Sequence, residues 1–188
     1  MRTITINVKE NEHKIFPLLW VGDTDAHMKV RGVLNKPNSS LRLFCAFLAN
    51  KHTYRLETEI IHTAKNTFSR TLVKGVLDGA AVLNYEGDVI VRKGAKQADA
   101  DLMVNTLMLS PLARAHTLPK LHVAENEVKA GHGATVGKID EEQLFYITSR
   151  GLTIPEAKQL IIKGFFESML SEFPKKEALM ISNAVAAL

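Results

Sequence analysis

The sequence predicts a mainly β chain that ends in a helical segment, and three observations support this prediction. Short runs of alternating apolar and polar residues begin at residues 2–8 and recur through the first two thirds of the chain. Turn-forming stretches such as residues 35–38 (Asn-Lys-Pro-Asn) separate these runs. After Asp140 the apolar residues change to helical spacing. We therefore divide the chain into a β core, residues 1–138, and a C-terminal helical domain, residues 139–188.

The predicted strands follow one another through the β core. Residues 2–8 place Ile4, Ile6 and Val8 on one face, which is the period of a half-buried strand. Further strand-like runs cover residues 15–21, 28–34, 41–48, 54–61, 68–77, 80–84, 89–92 and 120–123. Turns are predicted between the runs, among them Asp23 and residues 86–88 (Glu-Gly-Asp).

Alternation leaves two β architectures open, an antiparallel sandwich and a solenoid. Residues 30–35 (Val-Arg-Gly-Val-Leu-Asn) return as residues 73–78 (Val-Lys-Gly-Val-Leu-Asp). The offset of about 43 residues equals two solenoid coils of roughly 21 residues each, which is a plausible repeat length. This repeat favours a solenoid, but a sandwich that repeats one turn remains an alternative at this point.

Local signals bound the first two predicted helices. Asp140 is a suitable N-cap for a helix over residues 141–150, and Gly151 follows where a left-handed residue ends a helix. Residues 153–156 (Thr-Ile-Pro-Glu) form a capping box with an early proline. A second helix over residues 155–170 is therefore predicted, and a third from about residue 174.

The second helix carries more apolar residues than packing on one side of a small core requires. Ile162, Phe166 and Leu170 extend its apolar face beyond Leu160, Ile161 and Phe165. We interpret this surplus as a contact surface for a partner.

Composition excludes several classes of protein. Hydrophobic residues make up 46% of the 188 residues and charged residues 23%, as in an ordinary globular domain. No apolar run approaches the length of about 18 residues that a membrane span needs, so we expect a cytoplasmic protein that binds no membrane. Cys45 is the only cysteine, which rules out an internal disulfide framework. The net charge of +4 arises from basic residues scattered among acids, so no nucleic-acid partner is expected.

The join between the two regions is rich in glycine and histidine. Gly131, Gly133 and Gly137 are typical of positions that need positive φ or close backbone approach, and His132 lies between the first two. Neither His132 nor the nearby histidines His116 and His122 has the spacing of a zinc motif, so spacing alone does not indicate a metal site.

Several motifs of this stretch occur together. Residues 132–137 read His-Gly-Ala-Thr-Val-Gly, residues 140–146 read Asp-Glu-Glu-Gln-Leu-Phe-Tyr, and residues 149–151 read Ser-Arg-Gly. With residues 66–75 and 115–119 they resemble the SufB/SufD family, the scaffold proteins of SUF iron–sulfur cluster assembly. His-Gly-Ala-Thr places the chain nearer the SufD branch. The long N-terminal helical region of full-length members has no counterpart, so we interpret the chain as a short form.

This resemblance implies a right-handed parallel β-helix with a C-terminal α-helical domain. It also implies a non-catalytic scaffold that pairs with a second SufB/SufD-type subunit, or with itself as a homodimer, through the β-helix edge near residues 115–136. In the family the helical tail docks the SufC-type ATPase. The residues predicted to form that docking surface are Gln143, Phe145, Tyr146, Arg150, Phe165 and Phe166.

His132 is the candidate cluster-assembly ligand, because the resemblance gives that position a role at the subunit boundary. A turn-stabilising or interface hydrogen bond is the alternative role for this side chain. Ala113 and Gly133 stand where SufB-type members carry a Cys and a Glu, and Ala130 stands where SufD-type members often carry a Cys. With few thiolates to hold a soft cluster, we expect no stably bound cofactor and at most a transient iron–sulfur cluster in the complex.

Two other functions stay open. A β-helix carbohydrate-active enzyme would need a cluster of acids or basic residues on one solenoid face, which the sequence does not show. Pairs such as Asp99 with Asp101 are interpreted as solvated charges instead. A stand-alone β-helix interaction module that has lost cluster work is favoured by the missing cysteines. No hydrolase elbow, Walker loop or dinucleotide fingerprint is present, so nucleotide hydrolysis is assigned to a partner.

Overall fold

Two parallel β-sheets and a layer of helices make up the computed structural model, which describes residues 2–21 and 24–186. Asp23, a predicted turn residue, lies outside the described residues. Within the described residues there are ten strands: β1 Arg2–Asn7, β2 His13–Val21, β3 Ala26–Leu34, β4 Ser40–Ala49, β5 Thr53–His62, β6 Phe68–Leu77, β7 Val82–Val91, β8 Asp99–Met108, β9 Arg114–Val123 and β10 Lys129–Lys138. The helices described are α1 Glu141–Thr148, α2 Ile154–Leu170 and α3 Lys175–Ala186.

The strand order identifies a β-solenoid. Odd-numbered strands form one sheet in the order β1-β3-β5-β7-β9, and even-numbered strands form the other in the order β10-β8-β6-β4-β2. Every neighbouring pair is parallel. Each odd strand and the even strand after it therefore form one coil, and five coils stack on each other. This confirms the predicted parallel β-helix and excludes the antiparallel sandwich.

The predicted coil length is wrong. Arg2 aligns with Met28 in the next coil and Val82 aligns with Arg114, so one coil takes 26 to 32 residues rather than about 21. An offset of about 43 residues is then one and a half coils, and it carries Val30 of β3 to Val73 of β6, on the opposite sheet. The repeated Val-Arg/Lys-Gly-Val-Leu motif therefore does not mark the solenoid repeat.

An asparagine ladder marks the true repeat. Asn11, Asn38 and Asn66 occupy equivalent turns between the two sheets, each with φ of 56°. The Asn38 amide donates to Asn11 Oδ1 and the Asn66 amide donates to Asn38 Oδ1, both at 3.2 Å. Asparagine tolerates this left-handed conformation better than most residues, and the side-chain bonds link successive turns. The ladder thus fixes the stacking of the first three coils at this corner.

Two other strand predictions need correction. Residues 80–84 and 89–92 were predicted as two runs with a turn at residues 86–88, but a single strand, β7, includes that turn sequence. The stretch that became β8 was not predicted as a strand at all. In both strands the inward-facing positions are apolar while polar residues intervene at outward positions, as in Leu83 and Val89 of β7, which are at most 1% exposed.

The first core lies between the two sheets. Leu43 of β4, Leu56 of β5, Val73 of β6 and Leu102 of β8 are among its buried members. A second core lies between the outer face of the even-numbered sheet and the helices, where Phe44, Ala46, Leu48, Val76 and Leu107 of the sheet meet Ile162, Phe166, Met169, Ile181 and Val185. Apolar burial on both faces of the even-numbered sheet attaches the helical layer to the solenoid.

The helix signals in the sequence are confirmed. The Asp140 side chain accepts hydrogen bonds from the backbone amides of Glu142 and Gln143, and Gly151 has φ of 101° just after α1. At the start of α2, both reciprocal bonds of the Thr153–Glu156 capping box are present. No helix in residues 2–21 and 24–186 is long and apolar enough to cross a bilayer.

Candidate functional site

The last coil, β9 with β10, leaves the end of the solenoid open. Its inward-facing side chains are in register with residues of the preceding coil that are more deeply buried, and some of them are exposed. Val91 is fully buried whereas its partner Val123 is 45% exposed, and Thr106 is 3% exposed whereas its partner Val136 is 42% exposed. Both strands are also the outermost strands of their sheets. The end of the stack therefore presents apolar side chains and unpaired strand edges.

His132 lies on this open end. It is in register with Leu102, a buried residue of the solenoid interior, and its own side chain is exposed. It makes no hydrogen bond or ion pair with the part of the chain that the structure describes. The imidazole is therefore free to contact a molecule that covers the last coil.

Of the two reasons predicted for the glycines around His132, positive φ and close backbone approach, the structure shows only the second. Gly131, Gly133 and Gly137 all lie within β10, and none has positive φ. A Cβ at Gly133 would come within 3.0 Å of Met103 Sδ, so close packing of neighbouring strands favours glycine there. The stretch is a flat, exposed edge strand with small side chains.

The other two histidines lie on a different strand, β9, in the odd-numbered sheet. His116 is in register with Asn84 and faces outward, beside Arg55 in a shallow polar groove. His122 also faces outward, and its Nε2 lies 2.9 Å from Asp88 Oδ1. His116, His122 and His132 therefore do not converge on one site.

Acids on this outer face are already paired with cations. Glu57 Oε1 lies 2.7 Å from His27 Nε2, and this bond is the main cause of the lowered pKa of Glu57. Glu86 pairs with Lys120. Fixed ion pairs of this kind neutralise the carboxylates, so this face does not resemble the two-carboxylate arrangement of a glycosidase.

Cys45 is not a ligand for an exposed cluster. It faces the solenoid interior from β4, is 1% exposed, and burial raises the pKa of its thiol to about 12. A thiol in this environment stays protonated and unreactive near neutral pH. Among the described residues, no group of three or more His, Cys, Asp or Glu side chains is arranged to hold a metal ion.

Helix α1 displays two aromatic side chains to solvent. Phe145 is 73% exposed and Tyr146 is 57% exposed, and the helix contributes no buried residue to either core. The Arg150 guanidinium stacks on Tyr146 at 4.5 Å from the ring centroid and hydrogen-bonds its hydroxyl. Gln143 is exposed on the same helix and lines a groove of about 670 Å³ between α1 and α2. Four of the predicted docking residues thus share one exposed helix and its C-terminal cap region.

The other two predicted docking residues belong to the core side of α2. Phe166 is fully buried, as is Ile162 at 1% exposure, because both pack on the even-numbered sheet. The predicted surplus of apolar residues at these two positions is therefore wrong. Phe165 is half-buried and packs edge-on against Phe166 at a centroid distance of 5.2 Å. Exposed apolar residues of α2 are instead Ile154 and Leu160.

Lys74 attaches Phe165 to the solenoid, a role that the sequence did not indicate. It projects from the outer face of β6, is 9% exposed, and donates to Phe165 O at 2.5 Å and to Ser168 Oγ at 2.8 Å. Its Nζ also lies 5.0 Å from the centre of the Phe165 ring. Burial lowers the pKa of Lys74. A lysine between two apolar outward positions, Leu72 and Val76, was the signal available in the sequence.

The profile of the SufBD core domain, "SUF system FeS cluster assembly", matches residues 5–165. The chain belongs to the SufBD family. The chain is 30% identical over 185 residues to an iron–sulfur cluster assembly SufBD family protein of Mycobacterium bovis. The matched region covers 98% of this chain and 20% of the relative. Iron–sulfur cluster assembly protein SufD of Bacillus subtilis is 37% identical over 66% of this chain and 28% of the relative.

SufD of Escherichia coli is a further relative, 34% identical over 78% of this chain and 34% of the relative. The SufBD chain described here thus spans a fifth to about a third of the length of these three proteins. The family resemblance inferred from the motifs at residues 132–151 is confirmed, and proteins named SufD are among its relatives.

Proposed function

We propose that this chain is a non-catalytic scaffold of SUF-type iron–sulfur cluster assembly with two separate docking surfaces. The observation that carries the proposal is the open last coil, whose inner residues Val123 and Val136 are exposed while their partners in the coil beneath are buried. In this proposal the open end pairs with a second scaffold subunit. Helices α1 and α2 dock a SufC-type ATPase, which supplies the nucleotide hydrolysis.

Strand edges support the pairing part of the proposal. An edge strand carries backbone N–H and C=O groups that water or another strand must satisfy, and β10 has little bulk to keep a second strand away. Val123 and Val136 add apolar area that a second solenoid would cover. A SufB/SufD-type subunit is the expected partner, and a second copy of this chain takes the same place when no other subunit is present.

An iron–sulfur cluster is the cargo of such a scaffold rather than its resident cofactor. His132 is the residue of this chain that would contact the cluster, because its unpaired imidazole lies on the surface that pairs. Clusters prefer thiolate ligands, and the thiol of Cys45 is buried in the interior. The remaining ligands therefore have to come from the partner subunit, which makes binding transient and dependent on the complex.

The aromatic pair on α1 supports the ATPase-docking part of the proposal. Exposed aromatic side chains with an arginine beside them are typical of interface hot spots. Stacking on Arg150 also holds the Tyr146 ring in place, so little side-chain entropy is lost on docking. Phe165, held by Lys74, forms part of the adjacent groove wall but not of the exposed aromatic surface.

Co-purification with the ATPase tests this surface. We expect the double variant Phe145→Asp/Tyr146→Asp to lose co-purification, because it places two charges where aromatic rings would be buried. Leu179→Asp is the matched control, since Leu179 is 60% exposed on α3. Both proteins should keep the unfolding temperature of the wild type. Normal co-purification of the folded double variant would refute docking through α1.

The interaction module without cluster work is the second candidate function. It is favoured by the observation that the described residues hold no complete set of metal ligands. Iron and sulfide analysis after anaerobic reconstitution of the paired complex separates the two functions. If the chain is a scaffold, the wild-type complex retains a cluster and the His132→Ala complex does not. If it is an interaction module, neither complex retains one.

A further inference from the structure

Basic side chains that are far apart in the sequence meet at one corner of the solenoid, where the chain passes from an odd strand to the next even strand. The turns of the second, third and fourth coils, residues 35–39, 63–67 and 92–98, contain no acid. Their basic residues form what we call the cationic corner: Lys36, Lys65, Arg92, Lys93 and Lys96. Because successive coils contribute these residues about 30 positions apart, the sequence shows them as scattered.

Most of these cations are uncompensated. All five side chains are exposed, and Lys96 pairs with Glu127 at 2.8 Å. The other four make no ion pair with the described residues. Unscreened like charges at strand spacing repel one another over the Debye length of about 10 Å, so an anion that covers the corner relieves this repulsion.

The corner is also rigid. Asn38 N donates to Lys65 O at 3.4 Å and Asn66 N donates to Lys96 O at 2.9 Å, so the turns are hydrogen-bonded from coil to coil. The asparagine ladder runs beside them. Lys65 and Lys96 therefore follow one another at the strand spacing of about 4.8 Å. A partner meets cations whose backbones are already fixed, which lowers the entropy cost of binding.

Acids bound the corner at both ends. Glu12 lies in the turn of the first coil, and Glu125 and Glu127 lie in the turn of the last coil. A long polyanion that ran along the stack would meet these carboxylates. The turns of the three central coils also contain no aromatic residue on which bases could stack. Both observations favour a short anionic partner over a nucleic acid.

We propose that the cationic corner binds a short acidic segment of a partner protein, with about three or four Asp and Glu side chains directed at the lysines and arginine of the three central coils. The cationic corner is formed by turns of the three central coils and contains no residue of β10 or α1, and the inference does not rest on either proposed docking surface. Charge complementarity makes the interaction fast to form and sensitive to salt.

Fluorescence anisotropy with a labelled peptide of six glutamates in a Gly-Ser context tests the proposal on the full chain. We expect binding that weakens at least fivefold when salt is raised from about 50 mM to about 300 mM, because screening shortens the range of the charges. The same peptide with glutamine in place of glutamate should not bind. The triple variant Lys36→Glu/Lys65→Glu/Lys93→Glu should lose at least about tenfold in affinity.

A matched control separates the corner from net charge. The variant Lys163→Glu/Lys175→Glu/Lys176→Glu changes the net charge equally, at exposed lysines of the helical layer. It should keep the peptide affinity within about twofold. Equal loss in both triple variants would overturn the proposal. Tighter binding of a single-stranded oligonucleotide or of anionic vesicles than of the peptide, lost in the same corner variant, would also overturn it. Circular dichroism checks that each variant is folded. If a Lys→Glu variant does not fold, the corresponding Lys→Gln variant replaces it.

Discussion

The third coil and the last coil of the solenoid each direct a histidine to the inner side of the sheet, and the two side chains have opposite surroundings. His62, at the end of β5, is fully buried, with Nδ1 2.8 Å from Thr67 Oγ1 and Nε2 2.8 Å from Ser69 Oγ. His132, on β10, is exposed and has no partner among the described residues. The covered histidine has both ring nitrogens satisfied internally, whereas the uncovered histidine leaves them available.

The third and last coils also differ in how tightly their glycines are packed. Gly75 of β6 lies opposite the Phe47 ring, where a Cβ would come within 1.8 Å of Phe47 Cζ. Gly137 of β10 has nothing within 4 Å of its Cβ position. The central coils are therefore filled to interior density, while the last coil has open space at Gly137, on the outward face of β10 in register with Leu107. The central coils are packed on both sides, whereas Val123 and Val136 of the last coil stay exposed. The proposed pairing rests on this difference.

The largest expected change in the free energy of unfolding comes from adding a methyl group at a glycine, and we compare Gly75 of the third coil with Gly137 of the last coil. Gly75→Ala should lower the free energy of unfolding by about 3 kcal/mol, because Phe47 has to leave its position in the packed interior. Gly137→Ala should change it by less than about 0.5 kcal/mol. Chemical denaturation of both variants measures the difference. Equal destabilisation would mean that the last coil is as tightly packed as the third.

A smaller change in the free energy of unfolding is expected when the pH is lowered. Burial lowers the pKa of His62 to about 4, from a model-peptide value of 6.5, so the unfolded chain takes up this proton more readily than the folded chain. The stability that the neutral imidazole contributes is present above pH 6.5 and is lost as the pH falls toward 4. The loss should be about 2 kcal/mol between pH 7 and pH 4.5.

Variants of the two histidines isolate this contribution. His62→Gln should remove most of the extra loss of unfolding free energy over that pH range, since glutamine does not take up the proton. His132→Gln, at the exposed inner position of the last coil, is the matched control for loss of an imidazole. Urea denaturation at a series of pH values gives both profiles. An unchanged profile for folded His62→Gln would contradict the origin assigned to the acid sensitivity.

Local sequence patterns predicted the strands and helices better than they predicted the length of the solenoid repeat. Strand alternation and the capping residues Asp140 and Thr153 act within a few residues, and the structure confirms them. The coil length was wrong because the motif chosen, residues 30–35 and 73–78, equates positions on opposite sheets. The asparagines at positions 11, 38 and 66 carried the correct spacing. Single asparagines at turns are harder to recognise as a repeat than a six-residue motif that occurs twice.

The sequence indicated which residues are candidates for the site but not which of them are exposed. Motif resemblance located His132 and the aromatic residues of α1. It did not separate Phe145, which is exposed, from Phe166, which is buried, because both lie at apolar positions of amphipathic helices. Burial depends on which helix face meets the outer side of the even-numbered sheet. The cationic corner was missed for the same reason, since only the coil stacking brings its residues together.

The mass of the chain in solution tests the central claim most directly, because an open last coil should not remain uncovered. Multi-angle light scattering should give twice the monomer mass of 20.8 kDa for the wild-type chain alone, or a one-to-one complex with a SufB/SufD-type subunit. Val136→Asp, a charge on the inner side of β10, should give the monomer mass, while Leu179→Asp on α3 keeps the dimer. A wild-type mass of 20.8 kDa at all concentrations, with or without the second subunit, would contradict pairing through the last coil.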